Sequence, residues 1–229
     1  MIRYLNPDER QDIRQLYEEV FQDSKAFVDY YFETYVKQHT RCLVYEQDGH
    51  ICGMISIHEK QWCYRKFDGT YDLRPAWYIY GVATVPNMRK QGIMGKLLAR
   101  IIEDATAEQI PYIYLIPVNP AIYEKHGFRL VSGMEGAGTA IPIPFDLPNL
   151  DIKNASENGL TKLAENYRRY YEEQNVDAFL YKDVDYFRDY ITQLSLDGNS
   201  EFTLYAHPVM IYDNKYGMKI EALGPMDEV

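Results

Sequence analysis

Apolar positions along the chain follow two rhythms, and the places where one gives way to the other mark its elements. Met1 to Leu5 has the short extended form of a strand. Asn6-Pro7-Asp8-Glu9 then has the form of a helix start, with Asn6 as cap, Pro7 at the first helical position and acids in the first turn. Ile13, Leu16, Tyr17, Val20 and Phe21 recur at helical spacing, and Phe27, Tyr30, Tyr31 and Tyr35 place a second helix over Ser24 to Lys37. Three strand-like runs follow: Cys42 to Gln47, Ile51 to His58 and Gln61 to Lys66. Asp48-Gly49 between the first two is a hairpin signal, because a tight two-residue turn needs positive φ at both positions. Asp68-Gly69 marks a second turn, and Trp77 to Val85 is a long β-rich stretch stopped by Pro86. Ile93, Leu97, Leu98, Ile101 and Ile102 form the buried stripe of a helix running to about Ala107, followed by an apolar strand from Tyr112 to Pro117.

The rhythm breaks between Ala140 and Pro148, where prolines at 142, 144 and 148 exclude a helix or a central strand and predict a linker. Beyond it, Leu160 to Glu173 and Val184 to Leu194 read as helices. Glu201 to Ala206, Val209 to Tyr212 and Met218 to Leu223 read as strands, with a turn over Asp213 to Gly217. The order helix, helix, strand, strand is also how the N-terminal part begins. We therefore expect two domains, residues 1–145 and residues 146–229, the second a partial copy of the first. An incomplete sheet has an open edge, so this half is expected to pack on the first domain or on another subunit, which makes a homo-oligomer one outcome.

Composition narrows the class. The 229 residues, 46% hydrophobic and 25% charged, can bury a core and lie far from the profile of disorder. Twenty-two tyrosines suit half-wet core edges and pocket walls, since each pairs an apolar body with a hydroxyl that needs a partner. A net charge of -10 argues against nucleic acid as partner and in favour of a cationic small molecule. Cys42, Cys52 and Cys63 are odd in number and lack C-x-x-C or Cys/His spacing, so they read as buried thiols and no metal site is expected. With neither a secretory leader nor an apolar run of membrane-spanning length, the expectation is a cytoplasmic, non-membrane protein.

Chemistry concentrates between Gly81 and Leu98, which read as strand, glycine-bearing turn and helix start. Such a turn offers a row of backbone N–H groups at the positive end of a helix dipole, and Gly92 and Gly95 let that backbone approach an anion. Arg89 and Lys90 add local positive charge. A Walker loop is excluded, because Gly92 and Gly95 are too close and Leu97 follows Lys96 where Ser or Thr is needed. The dinucleotide fingerprint fits poorly, with two glycines instead of three and no opening βαβ unit.

Pro86, Arg89 and Gly92, followed by Leu97-Leu98, resemble the first signature motif of the GNAT (Gcn5-related N-acetyltransferase) superfamily. Asn119-Pro120-Ala121-Ile122-Tyr123-Glu124-Lys125-His126-Gly127-Phe128 is similar to its N-x-x-A-x-x-Y-E-K-x-G-F signature with shortened spacing. The resemblance covers about residues 1 to 145. It implies an α+β fold, a mixed, mostly antiparallel sheet flanked by helices, and transfer of an acetyl group from acetyl-CoA to the primary amine of a small molecule (polyamine or amino sugar) or a peptide. It further implies that the Val82-Ala83-Thr84 backbone pairs with the pantetheine arm. Amides from Arg89, Lys90, Gln91, Gly92, Ile93, Met94 and Gly95 hold the pyrophosphate, and Asn119 contacts the pantetheine or the neighbouring helix. Tyr123 stands next to the thioester sulfur. With an ordinary pKa near ~10 it is protonated at neutral pH and can act as general acid.

Two departures qualify the match. Met94 stands where the usual motif has a second glycine or alanine, which resembles the branch of the enhanced intracellular survival (Eis) acetyltransferases; the C-terminal half is similar to the degenerate second domain of that branch. Many members carry a glutamate base on the strand before the turn, whereas Trp77-Tyr78-Ile79-Tyr80-Gly81 has none. That absence supports the alternative of an acyl-CoA-binding regulatory or structural module without catalysis. His58, Asp72 and His126 are the titratable residues in plausible segments, each with packing or solvation as the blander role.

Overall fold

Asp48 and Gly49 take φ of 53° and 77°, the left-handed pair a two-residue hairpin turn demands, and so fold β2 (Thr40–Gln47) back on β3 (His50–Arg65). The computed structural model describes residues 1–36, 40–132, 156–173, 175, 177–196 and 209–213. In chain order its elements are β1 (Ile2–Tyr4), a 3₁₀ turn (Pro7–Glu9), α1 (Arg10–Val20), α2 (Lys25–Tyr30) running into a π turn (Tyr31–Tyr35), β2 and β3. There follow β4 (Tyr71–Thr84), α3 (Ile93–Ala107), β5 (Tyr112–Leu115), the single turn α4 (Ala121–Glu124), β6 (Arg129–Ser132), α5 (Glu157–Glu173), β7 (Ala178–Leu180), α6 (Val184–Leu196) and β8 (Val209–Asp213). The predicted linker at 140–148, the strands at 201–206 and 218–223 and most of the turn at 213–217 lie outside the described residues.

The described residues group into two compact units. The first comprises Met1–Lys60, Pro75–Arg129 and the described part of Met210–Lys219; the second comprises Gln61–Arg74 and the described part of Leu130–Val209.

In the first unit β1 pairs antiparallel with β2, β2 with β3, and β5 with β8, whereas β4 and β5 run parallel with Ala76 opposite Tyr112. A parallel pair needs a crossover, and α3 supplies it. The sheet is therefore mixed and flanked by helices, the α+β arrangement expected. Alternation along the strands sorts side chains into two layers. Leu43, Ile55, Ile57, Trp77 and Ile79 meet Ile93, Leu97, Leu98 and Ile101 of α3, while Val44, Met54 and Ala83 meet Ile13, Leu16, Tyr17 and Val28 of α1 and α2. Covered on both faces, β3 is buried without interruption from Cys52 to His58. The two runs expected at 51–58 and 61–66 are one strand, since His58-Glu59-Lys60 stays extended.

In the second unit the distal end of β3 pairs antiparallel with β7, Trp62 opposite Leu180 and Tyr64 opposite Ala178. Cys63, Leu160, Leu163, Tyr167, Tyr171, Phe179 and Phe187 form its core. Arg188 of α6 joins both Glu157 carboxylate oxygens at 2.9 Å, clamping α5. Strand β7, three residues between two helices, has no counterpart in the sequence expectation.

The N-terminal corner is held by charge. Arg3 grips Glu9 through two bonds of 2.6 and 2.7 Å and Glu46 through a third of 2.7 Å, and the Asn6 amide donates to Glu9 at 2.9 Å. These bonds, that from Arg3 foremost, hold the Glu9 carboxyl down to about 2. A carboxyl lowered on folding stabilises above its ordinary pKa, and the contribution is lost as pH falls through the folded value. Thermal melts between pH 5 and 2 are thus expected to fall less steeply for Glu9→Gln than for the parent. Equal slopes would show that the Arg3–Glu9 clamp does not contribute.

Candidate active site

The site begins where β4 and β5 part. Their pairing covers Ala76 to Tyr78 opposite Tyr112 to Tyr114, yet β4 runs on to Thr84. Between the two stretches lies Gly81 at φ 59°, a left-handed position that a side chain resists. The alternation of β4 inverts there. Trp77 and Ile79 face the α3 layer and Tyr80 the α1 layer, but beyond Gly81 it is Val82 that faces α3 and Ala83 that faces α1. One residue is thus inserted as a bulge, which bends and twists a strand locally. The backbone of Val82, Ala83 and Thr84 follows this bend, past the registered contact with β5.

Pro86–Met88 then forms a 3₁₀ turn, with the Met88 amide on the Val85 carbonyl at 3.0 Å. Lys90 at φ 63° and Gly92 at φ 77° complete the reversal, and α3 starts at Ile93. Arg89, Lys90, Gln91 and Gly92 are exposed, whereas Ile93 is buried and Met94 and Gly95 half-buried. The Lys96 amide reaches the Gly92 carbonyl at 3.1 Å, but the amides of Ile93, Met94 and Gly95 in the first turn precede any intrahelical acceptor. A Cβ on Gly92 would meet nothing within 4 Å, so the backbone is uncrowded where the chain enters the positive end of a 15-residue helix. Arg89 donates through Nε to the Thr84 carbonyl at 3.2 Å, and Gln91 to the Asn87 carbonyl at 3.4 Å, which brace the turn on the end of β4.

Two further glycines fix the turn from behind. A Cβ on Gly53 of β3 would lie 2.7 Å from Ile93 Cγ2, and one on Gly95 would lie 2.8 Å from His126 Cε1. The second contact brings the two sequence signatures together, because His126 ends the element that carries Tyr123.

That element is a single turn entered from Asn119, whose Oδ1 accepts from the Ala121 amide at 3.1 Å. Its end is closed by the His126 amide on the Tyr123 carbonyl at 2.9 Å and by Gly127 at φ 92°. Tyr123 is half-buried, its ring edge-on to buried Phe128 at 6.1 Å, and burial raises its hydroxyl pKa above the ordinary value. The same burial, with Lys125 adding to it, lowers His126. Asp72 belongs to the second unit and pairs with Arg74 at 2.9 Å.

Sequence reasoning missed an aromatic group on the α1 side of β4. Tyr17 and Tyr80 hydroxyls lie 3.0 Å apart, the Tyr31 hydroxyl lies 3.1 Å from Nε2 of buried His58, and Tyr78 stacks on Tyr114 at 5.0 Å. The only local signal is tyrosine at alternate positions 78 and 80. Cys42, Cys52 and Cys63 are buried free thiols, and burial pushes Cys42 and Cys63 up to about 12, so neither is a nucleophile at neutral pH. No helix among the described residues is long and apolar enough to cross a membrane.

A family model described as an acetyltransferase (GNAT) domain matches residues 1–131. No curated protein matches the chain. Among solved structures, Eis1 from Mycobacterium abscessus is similar over 91% of this chain and 51% of its own, with TM-score 0.61 and 16% identity. A GCN5-related N-acetyltransferase from Kribbella flavida is similar over 84% of this chain and 50% of its own, with TM-score 0.57 and 15% identity. A probable N-acyltransferase from Enterococcus faecalis V583 is similar over 58% of this chain and 33% of its own, with TM-score 0.50 and 19% identity. The chain thus spans between a third and a half of the length of these three proteins. At such identities the likeness is one of fold.

The glycines behind the turn give a stability prediction. Gly53→Ala places a methyl 2.7 Å from a buried isoleucine methyl and is expected to destabilise by about 1–3 kcal/mol in chemical denaturation. Gly92→Ala, with open space around it, should cost only the left-handed backbone term of about 1 kcal/mol. A neutral Gly53→Ala would show that β3 and α3 have slack.

Proposed function

The chain belongs to the GNAT acetyltransferase family, and we propose that it transfers an acetyl group from acetyl-CoA to an amine. The observation that carries this reading is the approach of the His126 ring to Gly95, so close that a Cβ there would lie 2.8 Å from it, which joins an anion-receptive helix start to the turn presenting a protonated tyrosine. Acetyl-CoA, when bound, supplies an activated acyl carbon and a thiol leaving group.

Backbone groups of Val82, Ala83 and Thr84, on the part of β4 past its pairing with β5, hold the pantetheine amides as an added strand would. Amides from Arg89 to Gly95 take the pyrophosphate, with the Arg89 and Lys90 side chains at its rim. The room beside Gly92, where a Cβ would meet nothing within 4 Å, supports that fit. Asn119, bonded to the Ala121 amide, contacts the pantetheine or orients the neighbouring turn of Tyr123. Tyr123 hydrogen-bonds the sulfur and gives it a proton as the carbon–sulfur bond breaks; its raised pKa keeps it protonated throughout the neutral range. The acceptor is the primary amine of a small molecule, polyamine or amino sugar, or of a peptide, in line with a net charge of -10.

Residues 1–145 are taken as the acetyltransferase domain and 146–229 as a partial second GNAT-like unit. Similarity to Eis1 over 91% of the chain supports this Eis-like placement. The absence of a carboxylate from Trp77 to Gly81 favours a second reading, an acyl-CoA-binding module without chemistry.

Two variants separate these readings. Tyr123→Phe is expected to lower kcat for CoA release by about 100-fold or more while CoA still raises the melting temperature as in the parent; unchanged turnover removes Tyr123 from the mechanism. Gly92→Trp should abolish the CoA-induced shift, and a normal shift would sink the assignment of the turn. CoA binding without acetyl transfer to spermidine, kanamycin or a lysine peptide would favour the module.

A further inference from the structure

The structure points to a proton exit path, Tyr80 to Tyr17 to Asp23, that deprotonates the acceptor amine in place of the carboxylate missing from Trp77 to Gly81; the inference rests on the acetyl-transfer reading above. Tyr80 directly precedes the Gly81 bulge, on the part of β4 past its registered pairing with β5. Its hydroxyl oxygen lies 3.0 Å from that of Tyr17 on α1, and the Tyr17 hydroxyl donates to Oδ2 of Asp23 in the loop before α2. The three groups step from the half-buried strand, through a tyrosine 1% exposed, to an exposed carboxylate. They span the layer between β4 and solvent.

Counting protons fixes the direction of the path. An ionised carboxylate has none to give, and Tyr17 has one, which it gives to Asp23. The contact between the two hydroxyls therefore requires Tyr80 to donate to Tyr17. With its single proton so committed, the Tyr80 oxygen can meet any further group only as an acceptor. An N–H of an ammonium or amine is the matching donor.

The surroundings suit such a donor. The rings of Tyr31, His58 and Tyr78 lie 5.3, 5.7 and 6.0 Å from that of Tyr80, and Tyr31 is bonded to His58 at 3.1 Å. Ring faces attract cations. The charged groups Arg14, Glu18, Lys25 and Asp29 of α1 and α2 and Glu33 of the π turn are paired among themselves. Besides the tyrosine hydroxyls, Asp23 and His58 are the titratable groups against the path. Burial, followed by electrostatic coupling to the neighbouring Tyr80 hydroxyl, raises Tyr17 far above its ordinary value, so the path works by neutral hydroxyls passing protons on, without a tyrosinate.

One transfer balances as follows. The acceptor ammonium loses a proton to the Tyr80 oxygen as the proton of Tyr80 moves to Tyr17 and that of Tyr17 moves to the Asp23 carboxylate. The neutral carboxyl then releases a proton to water, and rotation of the two hydroxyls resets the chain. The nitrogen is left with the electron pair that attacks the thioester carbon. Tyr80 touches the substrate; Tyr17 and Asp23 act through it.

The test is the pH profile of kcat/KM for the full chain, with whichever of spermidine, kanamycin and a lysine peptide the parent turns over best. Asp23→Asn, an exposed and nearly isosteric change, is expected to lower kcat/KM at neutral pH about 30-fold or more, with activity recovering toward about pH 9.5 as the amine loses its proton unaided. Asp23→Glu should restore part of the loss, and Tyr80→Phe should match Asp23→Asn while the CoA-induced melting shift stays intact. A parent-like profile for Asp23→Asn, or a loss independent of pH, overturns the path. A pH-dependent loss confined to His58→Asn would overturn it too, by making His58 the base. If the parent acetylates none of the three amines, the acetyl-transfer reading falls and the path with it, whereas an active parent with an unaffected Asp23→Asn removes only the path.

Discussion

The arrangement on β4 depends on one residue held at φ 59°, Gly81. Without an inserted residue, alternation would carry Val82 onto the face of Tyr80. With it, Val82 returns to the α3 layer and Ala83 joins the α1 layer, on the part of β4 that extends past the end of β5. The bend is held in place by its surroundings. A Cβ on Gly81 would lie 3.5 Å from the Tyr17 ring and 3.6 Å from Ser56 Oγ, which is ordinary contact, so the demand for glycine comes from the backbone angle and not from crowding. The same inserted residue lets one short stretch of strand present aromatic hydroxyls before the bulge and unregistered backbone after it.

Electrostatics is divided along the same line. A chain of net charge -10 repels anions at long range, yet the turn from Arg89 to Gly95 faces solvent with cationic side chains and first-turn amides. These act within a few ångströms, inside the screening length of ~8 Å at physiological ionic strength, so local geometry overrides the global sign for a phosphate that has reached the turn. A cationic acceptor gains from the opposite balance. Bulk charge favours its approach, and the aromatic group near Tyr80 offers ring faces and hydroxyl acceptors in place of carboxylates.

Legibility from sequence followed the range of the interactions involved. The helix Ile93–Ala107 and the Asp48-Gly49 hairpin were readable because each is fixed by residues within one turn or one stripe. The continuity of β3 was not, since His58-Glu59-Lys60 interrupts the apolar pattern and only coverage of both faces explains it. Nor was β7, whose three residues are too few to carry a period and are placed by pairing with Trp62 to Tyr64, more than a hundred positions earlier. At the site, Gly92 and Tyr123 were singled out by their motifs. The bulge at Gly81 was hidden, because a lone glycine in a strand fits a bend or close packing equally. The Tyr17–Tyr80 contact joins residues 63 apart, and nothing in either neighbourhood announces the other.

Burial gives Tyr123 and Tyr17 the same direction of shift, upward, but the proposed chemistry asks opposite things of the two tyrosine sites. For Tyr123 a raised pKa secures the protonated form, which is already dominant at neutral pH, while weakening it as an acid; each further unit removes about 1.4 kcal/mol of driving force for transfer. Its service to a departing sulfur is therefore a hydrogen bond that strengthens as charge develops, with the proton following late. On the α1 side acidity hardly matters, because each hydroxyl gives up one proton as it gains another. What counts there is orientation, and orientation is set at the far end by a carboxylate that can only accept. Two tyrosine sites can thus serve as donor and as acceptor, the acceptor being the one whose chain of hydroxyls ends on the Asp23 carboxylate.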